Sequence, residues 1–453
     1  MKRCCLFSYN TAEEAMAQKP FKRIEVFGNK QLNPDGTVKH WLHSGENGER
    51  MLVKCKKCGA LFLWQSSYMT WRNDTVYHEL ILPVENRETA LEYNEKYNGW
   101  FLESNYCGLY IWETSKGWVW NKDSKSFDMK EAIYGGIIGL CVGDALGLPV
   151  QFNKREKLKQ KPVIDMIGNG TYNLPAGTWS DDSSMTLCLM DSLSNGLDYD
   201  DIMRKFQAWL VDGEYTPYGK SFDVGTTTLQ SILLSIKRGS NITQCGGTGE
   251  YSNGNGSLMR ILPTVFYYRK KHKFSIHDNH EALGIIHNIS SLTHAHKRSF
   301  LACGIFCIIA ENLIYNYGIK KGIQYGLKSA KKYYESIPEF ADECIHYERL
   351  FSGSIFTLPE TEIHSSGYVV DTLEAALWCL MKTRSYKTCV LKAVNLGGDT
   401  DTIAAVAGGL AGIHYGLDAI PDKWLSQIAR LDYIKELCKT FYNSLSEGKR
   451  IGL

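Results

Sequence analysis

The chain has 453 residues, 44% of them hydrophobic, and a formal net charge of +2 at pH 7. This length exceeds what one ordinary hydrophobic core supports, so we expect two domains, one of them large. The near balance of charges excludes a globally basic protein that binds nucleic acids or anionic membranes through its net charge, so neither partner is expected.

The N-terminal stretch "MKRCCLFSYNTAEEA" turns polar too soon to hold the apolar core of a signal peptide. By inspection, no later apolar run reaches the roughly 18 residues that a membrane span requires. We therefore expect a soluble, cytoplasmic protein whose 14 cysteines are reduced thiols. Five of them lie in apolar, helix-like segments, where cysteine behaves as a small hydrophobic residue: Cys141, Cys188, Cys303, Cys307 and Cys379.

The first 127 residues differ in composition from the rest. Seven of the eleven tryptophans lie there, in aromatic runs such as "NYCGLYIWETSKGWVW". Alternating apolar and polar residues between turn residues are typical of antiparallel strands. Residues 1–127 are therefore predicted to form a small α+β or mostly β module, joined to the rest by the polar stretch from Asn121 to Lys130.

Two short patterns in this module raise the alternative of a zinc site. "HWLH" supplies His40 and His43, and "CKKC" supplies Cys55 and Cys58. The cysteine pair suits one half of a tetrahedral zinc site, but the histidines are closer together than is usual for such a pair. Zinc therefore stands as an alternative to a plain aromatic β core.

After Asp128, apolar residues recur at helical spacing in long segments. This periodicity predicts a large all-α domain over residues 128–453. The predicted helical segments are Lys130 to Leu148, Ser183 to Ser194, Tyr199 to Val211, Thr226 to Lys237, His280 to Tyr315, Val369 to Met381 and Thr402 to Gly416.

Two acids precede the last of these segments. In "NLGGDTDTIAAVAGG", Asp399 and Asp401 lie between a glycine pair and a helix that is apolar on every face until His414, so this helix should be buried. An N-cap role explains Asp401, whose carboxylate would accept free backbone N–H groups. Asp399 needs a separate partner, because an unpaired carboxylate near a buried helix end is costly.

A second stretch, "AGTWSDDSSMTLCLMDSL", repeats the arrangement. Ser180, Asp181, Asp182 and Ser183 stand there at the start of an apolar-faced helix. Each acid pair alone is explained by capping and turn formation. If the two stretches meet, four carboxylates converge with no lysine or arginine close in sequence, and a hard divalent cation such as Mg²⁺ or Mn²⁺ relieves their repulsion. Taken together, they predict an oxygen-ligand metal site.

Two further segments carry polar groups among glycines. Asp144 lies alone in "YGGIIGLCVGDALGLPVQF", where it is either a satisfied structural group or a residue on the ligand side. The glycines of this segment indicate the close approach of another backbone or a ligand. In "YSNGNGSLMRILP", a turn precedes a predicted helix at Leu258, and its free N–H groups with the Ser257 hydroxyl could cradle a phosphate.

These segments, in this order, resemble the ADP-ribosylglycohydrolase family. The resemblance covers nearly all of the chain from Lys130 onward and is carried by "GDALGLPVQF" (Gly143 to Phe152), "WSDDSSM" (Trp179 to Met185), "DVGTTT" (Asp223 to Thr228), "GNGSLMRILP" (Gly254 to Pro263), "LTHAH" (Leu292 to His296) and "NLGGDTDTIAAVAGGLAG" (Asn395 to Gly412). It implies an all-α orthogonal helical bundle, a centre of two Mg²⁺ or Mn²⁺ ions, and hydrolysis of the glycosidic bond at C1″ of an ADP-ribosyl group.

The resemblance also implies roles for individual residues. The implied metal ligands are Ser180, Asp181, Asp182, Asp399, Asp401 and Thr402. Serine stands at position 180 where the family usually has threonine, and it keeps the ligand oxygen. The implied catalytic carboxylates are Asp182, Asp223 and Asp401. The residues expected at the substrate are Asp144, Gln151, Gly254, Asn255, Gly256, Ser257, Met259, Arg260, His294, Gly397 and Gly398.

Gln151 is the main departure from the family pattern. In the serine-directed branch a glutamate matters at this position, and glutamine can neither act as a base nor bind a metal as an anion. In the arginine-directed branch the acid of the D-(I/V)-G motif is a candidate for proton transfer, and here that acid is Asp223. The alternative for Asp223 is an N-cap of the helix in "VGTTTLQSILLSI".

The expected function is therefore metal-dependent release of ADP-ribose from a modified protein side chain, with arginine favoured. Hydrolysis of another linkage, to serine, to nucleic acid or in O-acetyl-ADP-ribose, is an alternative. A second alternative comes from Gln151 and the extra module: an ADP-ribose-binding or immunity-type protein with little catalysis, which sequesters an ADP-ribosyltransferase through residues 1–127.

Overall fold

The computed structural model describes residues 21–28, 31–32, 38–39, 46–71, 74–84, 86–96, 109–113, 129–239, 241–271, 276–314 and 318–447. The chain forms two compact units, and the boundary between them lies between Asp128 and Met129. Each unit is described by itself below.

The N-terminal unit is built on an antiparallel sheet. Its described elements are β1 (Phe21–Gly28), β2 (Gln31–Leu32), β3 (Val38–Lys39), β4 (Glu46–Cys55), β5 (Leu61–Trp71), β6 (Asp74–Val84), α1 (Arg87–Lys96) and β7 (Leu109–Glu113). Five strands form one sheet in the order β1, β4, β5, β6, β7, and β2 pairs with β3. The prediction of a mostly β module with antiparallel strands is confirmed.

A tight turn joins β4 to β5 in this sheet. Gly59 has a φ of +80°, which suits glycine, and its N–H donates to the Cys55 carbonyl at 3.0 Å. Cys55 is buried and Cys58 is exposed in the turn. The other two ligands of the predicted zinc site, His40 and His43, lie outside the described residues.

The second unit is helical. Its helices are α2 (Met129–Gly147), α3 (Arg155–Gln160), α4 (Asp181–Ser194), α5 (Tyr199–Asp212), α6 (Thr226–Arg238), α7 (Leu262–Lys271), α8 (His280–Ser291), α9 (Lys297–Ile314), α10 (Ile319–Glu335), α11 (Pro338–Ala341), α12 (Glu348–Phe351), α13 (Val369–Lys382), α14 (Tyr386–Val394), α15 (Thr400–Tyr415), α16 (Asp422–Leu425) and α17 (Leu431–Glu447). The predicted all-α domain is confirmed. The five cysteines expected in apolar helical segments are all buried.

One predicted segment is two helices instead of one. The stretch from His280 is broken between α8 and α9, where the backbone pairs with Gly247. The Gly247 N–H donates to the Thr293 carbonyl at 3.0 Å, and the Ala295 N–H donates to the Gly247 carbonyl at 2.8 Å. This tertiary pairing uses backbone groups that a continuous helix would need, so His294 leaves the helix.

Helices α2 and α15 pack against each other through glycines at the centre of the unit. A methyl group on Gly139 would lie 2.6 Å from the Gly408 carbonyl oxygen, which is well inside van der Waals contact. Gly135 faces Gly412 and Gly143 faces the Ala404 carbonyl in the same way. The glycine-rich sequence therefore serves the close approach of a second backbone, and it brings the C-terminal end of α2 against the start of α15.

The same central helix corrects an expectation about membrane spans. Met129–Val150 is long and apolar enough to cross a membrane by length and composition, with a mean hydropathy of 1.6. However, 94% of this window is buried inside the protein. Within the described residues it is the core helix of the bundle, apolar because neighbouring helices surround it.

Candidate active site

A cavity of about 670 Å³ opens where several helices begin. The starts of α4, α6 and α15 contribute residues to its wall, together with the turns before α7 and α13. Helix starts carry free N–H groups and a partial positive charge, so the parts of the wall that present them without an acid, such as the start of α6, favour anionic groups. The lining residues are Gln151, Phe152, Tyr172, Asp181, Asp223, Val224, Gly225, Thr226, Thr227, Thr228, Gly254, Asn255, Gly256, Met259, His294, Ser366, Gly367, Gly398, Asp399 and Thr402.

Three buried carboxylates form an acid cluster beside this cavity. Asp144, Asp182 and Asp401 each offer an oxygen, and these oxygens all lie within 4.8 Å of one another. Each of the three residues is 0% exposed. Burial, and then the neighbouring acids, raise the pKa of Asp182 and of Asp401 well above the usual value.

Two oxygens of the acid cluster lack a partner in the described part of the protein. They are Asp182 Oδ1 and Asp401 Oδ2, and both are buried. The two helix starts meet at this point, because the Thr402 hydroxyl donates to Asp182 Oδ2 at 3.3 Å and the Ser180 hydroxyl donates to the same oxygen at 3.2 Å. Two unpaired carboxylate oxygens, together with the two hydroxyls that contact the other oxygen of Asp182, are a donor set that fits a hard divalent cation.

Asp144 has a different environment from its two neighbours. Its carboxylate accepts from the backbone N–H groups of Ser180 at 2.9 Å and Ser183 at 3.1 Å, and from the Ser183 hydroxyl at 2.6 Å. Burial raises its pKa to about 6, although these bonds oppose the rise. Asp144 is not among the residues that line the cavity; it lies behind the wall, where its carboxylate holds the start of α4.

Asp181, Asp399 and Thr402 lie at the same two helix starts as Asp182 and Asp401, and they line the cavity. Asp399 Oδ2 accepts from the Asn255 side-chain amide at 2.6 Å, which ties the turn before α7 to the start of α15. Asp399 occupies the N-cap position of α15 without a capping side-chain bond. The expectation that Asp401 is the N-cap is therefore wrong: Asp401 lies inside the first turn, where its Oδ1 accepts from the adjacent Thr402 N–H at 3.0 Å.

Asp223 faces the cavity and is held from both sides. Its Oδ1 accepts from the Tyr172 hydroxyl at 2.5 Å, and its Oδ2 accepts from the Gln151 amide at 3.0 Å. Asp223 has a φ of +58°, a backbone conformation that costs energy for a non-glycine residue. Burial raises its pKa although both bonds lower it. The N-cap of α6 is Gly225, so the capping alternative for Asp223 is wrong.

Comparison with known proteins is decisive at this point. A sequence model described as ADP-ribosylglycohydrolase matches residues 126–450. The chain belongs to the ADP-ribosylglycohydrolase family. It is therefore a hydrolase of the class that cleaves glycosidic bonds to ADP-ribose, as the motifs predicted.

Individual relatives agree with this assignment. The chain is 32% identical over 322 residues to ADP-ribosylarginine hydrolase Tri1 of Serratia proteamaculans, covering 71% of this chain and 80% of that protein. It is 31% identical over 298 residues to the ADP-ribosyl-dinitrogen reductase glycohydrolase of Rhodospirillum rubrum, covering 65% and 89%. A solved structure described as an ADP-ribosylglycohydrolase-related protein complex aligns with a TM-score of 0.57 at 28% identity, covering 70% of this chain and 99% of that one.

The turn before α7, from Gly254 to Arg260, has some residues on the cavity wall and others in the interior of the protein. Gly254, Asn255, Gly256 and Met259 line the cavity, as does His294 beside them. Ser257 and Arg260 are both 0% exposed and lie behind the turn, where Ser257 Oγ accepts from the Ser290 hydroxyl at 2.9 Å. Neither Ser257 nor Arg260 is among the residues that line the cavity.

A similar division holds for the other predicted residues. Gly398 and Gln151 line the cavity, whereas Gly397, with a φ of +73°, packs against the backbone of Asn153 and Arg155. Ser180, Asp182 and Asp401 lie behind the wall. Ser180 is the N-cap of α4 and accepts from the Asp182 N–H.

Several cavity residues were missed by sequence reasoning. They are Phe152, Tyr172, Ser366, Gly367 and the start of α6 from Val224 to Thr228. Phe152 and the α6 start lay inside recognised motifs, and "SSG" before α13 is a turn of the same kind as "GNG", so a search for turns before apolar helices would have found Ser366 and Gly367. Tyr172 lies in "GNGTYNLP", where no pattern in the sequence marks it.

Proposed function

We propose that this enzyme releases ADP-ribose from modified arginine side chains of proteins, with two Mg²⁺ or Mn²⁺ ions as cofactors. One observation carries the choice of arginine: Asp223 lines the cavity wall and is not among the residues that would hold the cations, so its carboxylate stays available to the substrate. A guanidinium is cationic and complements this carboxylate, whereas a serine linkage offers no positive charge to it. The names of the relatives from Serratia and Rhodospirillum support the same choice.

The cations would be held by the acid cluster and its neighbours at the cavity wall. The oxygens available are those of Asp182 and Asp401, whose unpaired oxygens point to a missing partner, with Asp181, Asp399, Ser180 and Thr402 beside them. When bound, such ions polarise a water molecule and orient ribose hydroxyls. Asp144 keeps its capping bonds and supports this set from behind.

The described residues that line the cavity include no lysine or arginine to bind the anionic part of ADP-ribose. The cavity wall instead offers the start of α6, with the hydroxyls of Thr226, Thr227 and Thr228, and the backbone of Gly254 and Gly256. Helix starts and glycine turns bind phosphates through backbone N–H groups. Within the described residues, the cavity lining contains no lysine or arginine that would compete with the substrate guanidinium for Asp223.

Asp223 would manage the protons of the reaction. The C1″–N bond breaks and the side chain leaves as neutral guanidine, while the water oxygen bonds to C1″ of the oxocarbenium-like ribose. Asp223 takes a proton from that water and passes it to the guanidine, which is restored to a cation. Gln151 and Tyr172 each donate to a different Asp223 oxygen, so the carboxylate orientation is set before substrate arrives.

A linkage panel tests this function directly. Purified full-length protein, with Mg²⁺ or Mn²⁺, is incubated with one peptide ADP-ribosylated on arginine and one on serine, and with O-acetyl-ADP-ribose and ADP-ribosylated nucleic acid. Free ADP-ribose is then measured by chromatography. Release from the arginine peptide that is lost in Asp223→Asn is the expected result. Tight ADP-ribose binding without turnover on any substrate would establish the binding-protein alternative instead.

We further propose that residues 1–127 select a protein partner in the cytoplasm, either the modified substrate or an ADP-ribosyltransferase. The family match begins at residue 126, and the solved relative is 99% covered by a match to only 70% of this chain, so this module is an addition to the shared domain. Activity on a small arginine-linked substrate should survive deletion of the module, while activity on the native modified protein should fall. Equal activity of both forms on the native protein would refute a selecting role.

A further inference from the structure

His294 stands at the end of a buried chain of hydrogen bonds that begins at Arg260. Arg260 is 0% exposed, and its Nη2 donates to Thr293 Oγ1 at 2.8 Å. Thr293 Oγ1 is in turn 2.8 Å from His294 Nδ1. Thr293 is 0% exposed and His294 is 2% exposed, so bulk water does not compete for these bonds.

The direction of each bond follows from the donors available. A guanidinium carries donors only, so Thr293 Oγ1 accepts from Arg260. The Thr293 hydroxyl proton is then left to donate, and His294 Nδ1 is the atom that faces it. If Nδ1 were the donor instead, the hydroxyl proton would have no acceptor among the described residues, and an unmade buried hydrogen bond costs about 1–3 kcal/mol. All bonds of the chain are made only when Nδ1 accepts.

We propose that Arg260 and Thr293 hold His294 as the neutral tautomer with its proton on Nε2, and that this Nε2–H is a fixed hydrogen-bond donor facing the cavity. Its ligand is then an acceptor atom, such as a phosphate or ribose oxygen of ADP-ribose; this last step rests on the proposed function. Arg260 and Thr293 are positioning residues, because they act on the ligand through His294.

The surroundings of His294 support this assignment. His294 lines the cavity, and Nε2 is the ring nitrogen that lies next to Gly254 and Gly256 on the cavity wall. Burial, and then the nearby charge of Arg260, lower the pKa of His294 to about 3, so the ring is neutral at physiological pH. A neutral imidazole has one donor and one acceptor nitrogen, and Thr293 uses the acceptor.

The same arginine also fixes the turn opposite His294. Its Nη1 donates to the Gly256 carbonyl, and its guanidinium lies 5.0 Å from the centre of the Phe206 ring. The backbone of Thr293 is anchored separately, since its carbonyl accepts from the Ser231 hydroxyl at 3.0 Å. One buried cation therefore sets both the backbone of the turn and the tautomer of the histidine beside it.

Nuclear magnetic resonance of the ligand-free, full-length protein tests the tautomer. Two-bond ¹H–¹⁵N spectra of protein labelled on histidine separate a ring protonated at Nε2 from one protonated at Nδ1 or at both nitrogens. The His294 signal, one of 12 histidines, is identified by its loss in His294→Gln. An Nε2-protonated signal at pH 7 is expected. A signal from either other form would overturn the proposal, whatever substrate the enzyme acts on.

Two variants test whether the Thr293 hydroxyl positions His294. Thr293→Val removes the hydroxyl at nearly constant size, and Thr293→Ser keeps it. The valine variant loses the hydroxyl's bonds to both Arg260 and His294, so the His294 tautomer is no longer held and ADP-ribose binding should weaken about 2- to 10-fold, with the serine variant close to the unmutated protein. Calorimetry gives Kd, and circular dichroism checks the fold. An equal Kd for the unmutated protein and both variants would overturn the proposal that the Thr293 hydroxyl positions His294. No ADP-ribose binding by the unmutated protein would count against the proposed function, and the tautomer would still be decided by the spectra.

Discussion

Asp401→Asn should change stability in opposite directions with and without a divalent cation. Asp401 is buried, with Asp144 and Asp182 oxygens within 4.8 Å and its own Oδ2 unpaired in the described residues. Asparagine has nearly the same size and keeps an acceptor for the Thr402 N–H, so the substitution removes mainly the charge. Any change in stability therefore reports repulsion in the acid cluster.

The distance sets the size of the effect. Two unit charges 4.8 Å apart repel by about 3 kcal/mol at an effective dielectric constant of about 20. Repulsion and burial raise the pKa of Asp182 and Asp401 in the folded state above the unfolded value. Such groups stabilise the fold at low pH, and this stability is lost as pH rises through the raised pKa. At pH 8 without a cation, the variant should therefore be more stable by about 1–3 kcal/mol.

The order of stability should reverse when Mg²⁺ or Mn²⁺ is added. A cation at 1,000 times its Kd stabilises the unmutated protein by about 4.1 kcal/mol, which exceeds the variant's advantage, while the variant binds the cation weakly and gains little. Urea unfolding at pH 8 in chelator and in Mg²⁺ measures both free energies. Asp200→Asn, at an exposed acid on α5, is the matched control. The reasoning fails if Asp401→Asn is the less stable protein in chelator, or if Mg²⁺ stabilises both proteins equally.

Three further outcomes are expected. Gly139→Ala places a methyl group 2.6 Å from a carbonyl of α15 and should lower the free energy of unfolding by about 1–3 kcal/mol. Gly284→Ala, where the added methyl group has no atom within 4 Å, should raise the free energy of unfolding by up to about 1 kcal/mol. Thermal unfolding compares the two variants, and equal losses of stability would contradict the packing argument. Burial raises the pKa of Glu374 to about 7 despite an ion pair at 3.5 Å, so this acid makes the protein less stable as pH rises from about 4.5 to about 7. Glu374→Gln should therefore stabilise the protein at pH 8 by up to about 3 kcal/mol and hardly at all at pH 4, and a pH-independent difference would refute this. Gln151→Glu replaces a hydrogen-bond donor 3.0 Å from Asp223 with a like charge. It should lower kcat on an arginine-linked peptide about 10- to 100-fold, with a smaller change in KM. Unchanged kcat in steady-state kinetics would show that the contact between Gln151 and Asp223 has no role in the mechanism.

Much of the helical domain was predictable because its helices are strongly periodic. The predicted segment from Tyr199 to Val211 is the helix Tyr199–Asp212, and the one from Thr226 to Lys237 is Thr226–Arg238. A helix that packs on one face repeats its apolar residues every three or four positions, and this repeat is visible without any tertiary information. The break between α8 and α9 was missed because a distant glycine, Gly247, causes it.

The candidate site was predictable in its residue types and less so in its geometry. The sequence predicted an oxygen-ligand metal site if the two acid-bearing stretches met, and the structure brings Asp182 and Asp401 of these stretches into one cluster. The capping roles were wrong for Asp401 and Asp223 because a cap depends on where the helix begins to within one residue. Tyr172 was not predictable, since its bond to Asp223 joins residues 51 positions apart with no local pattern.

The packing of α2 against α15 makes the acid cluster, and with it the proposed cation site, depend on completion of the helical unit. The two helices belong to the first and last parts of the helical unit: the Thr400 hydroxyl donates to the Gly147 carbonyl across 253 residues. Contacts between such distant segments form late, because a long loop must close before they gain any free energy. During synthesis, the first acids of the cluster emerge from the ribosome well before their partners do. A cation bound here can therefore be retained only by a chain whose helical unit has been made to its last helices, and a truncated product would lack the site altogether.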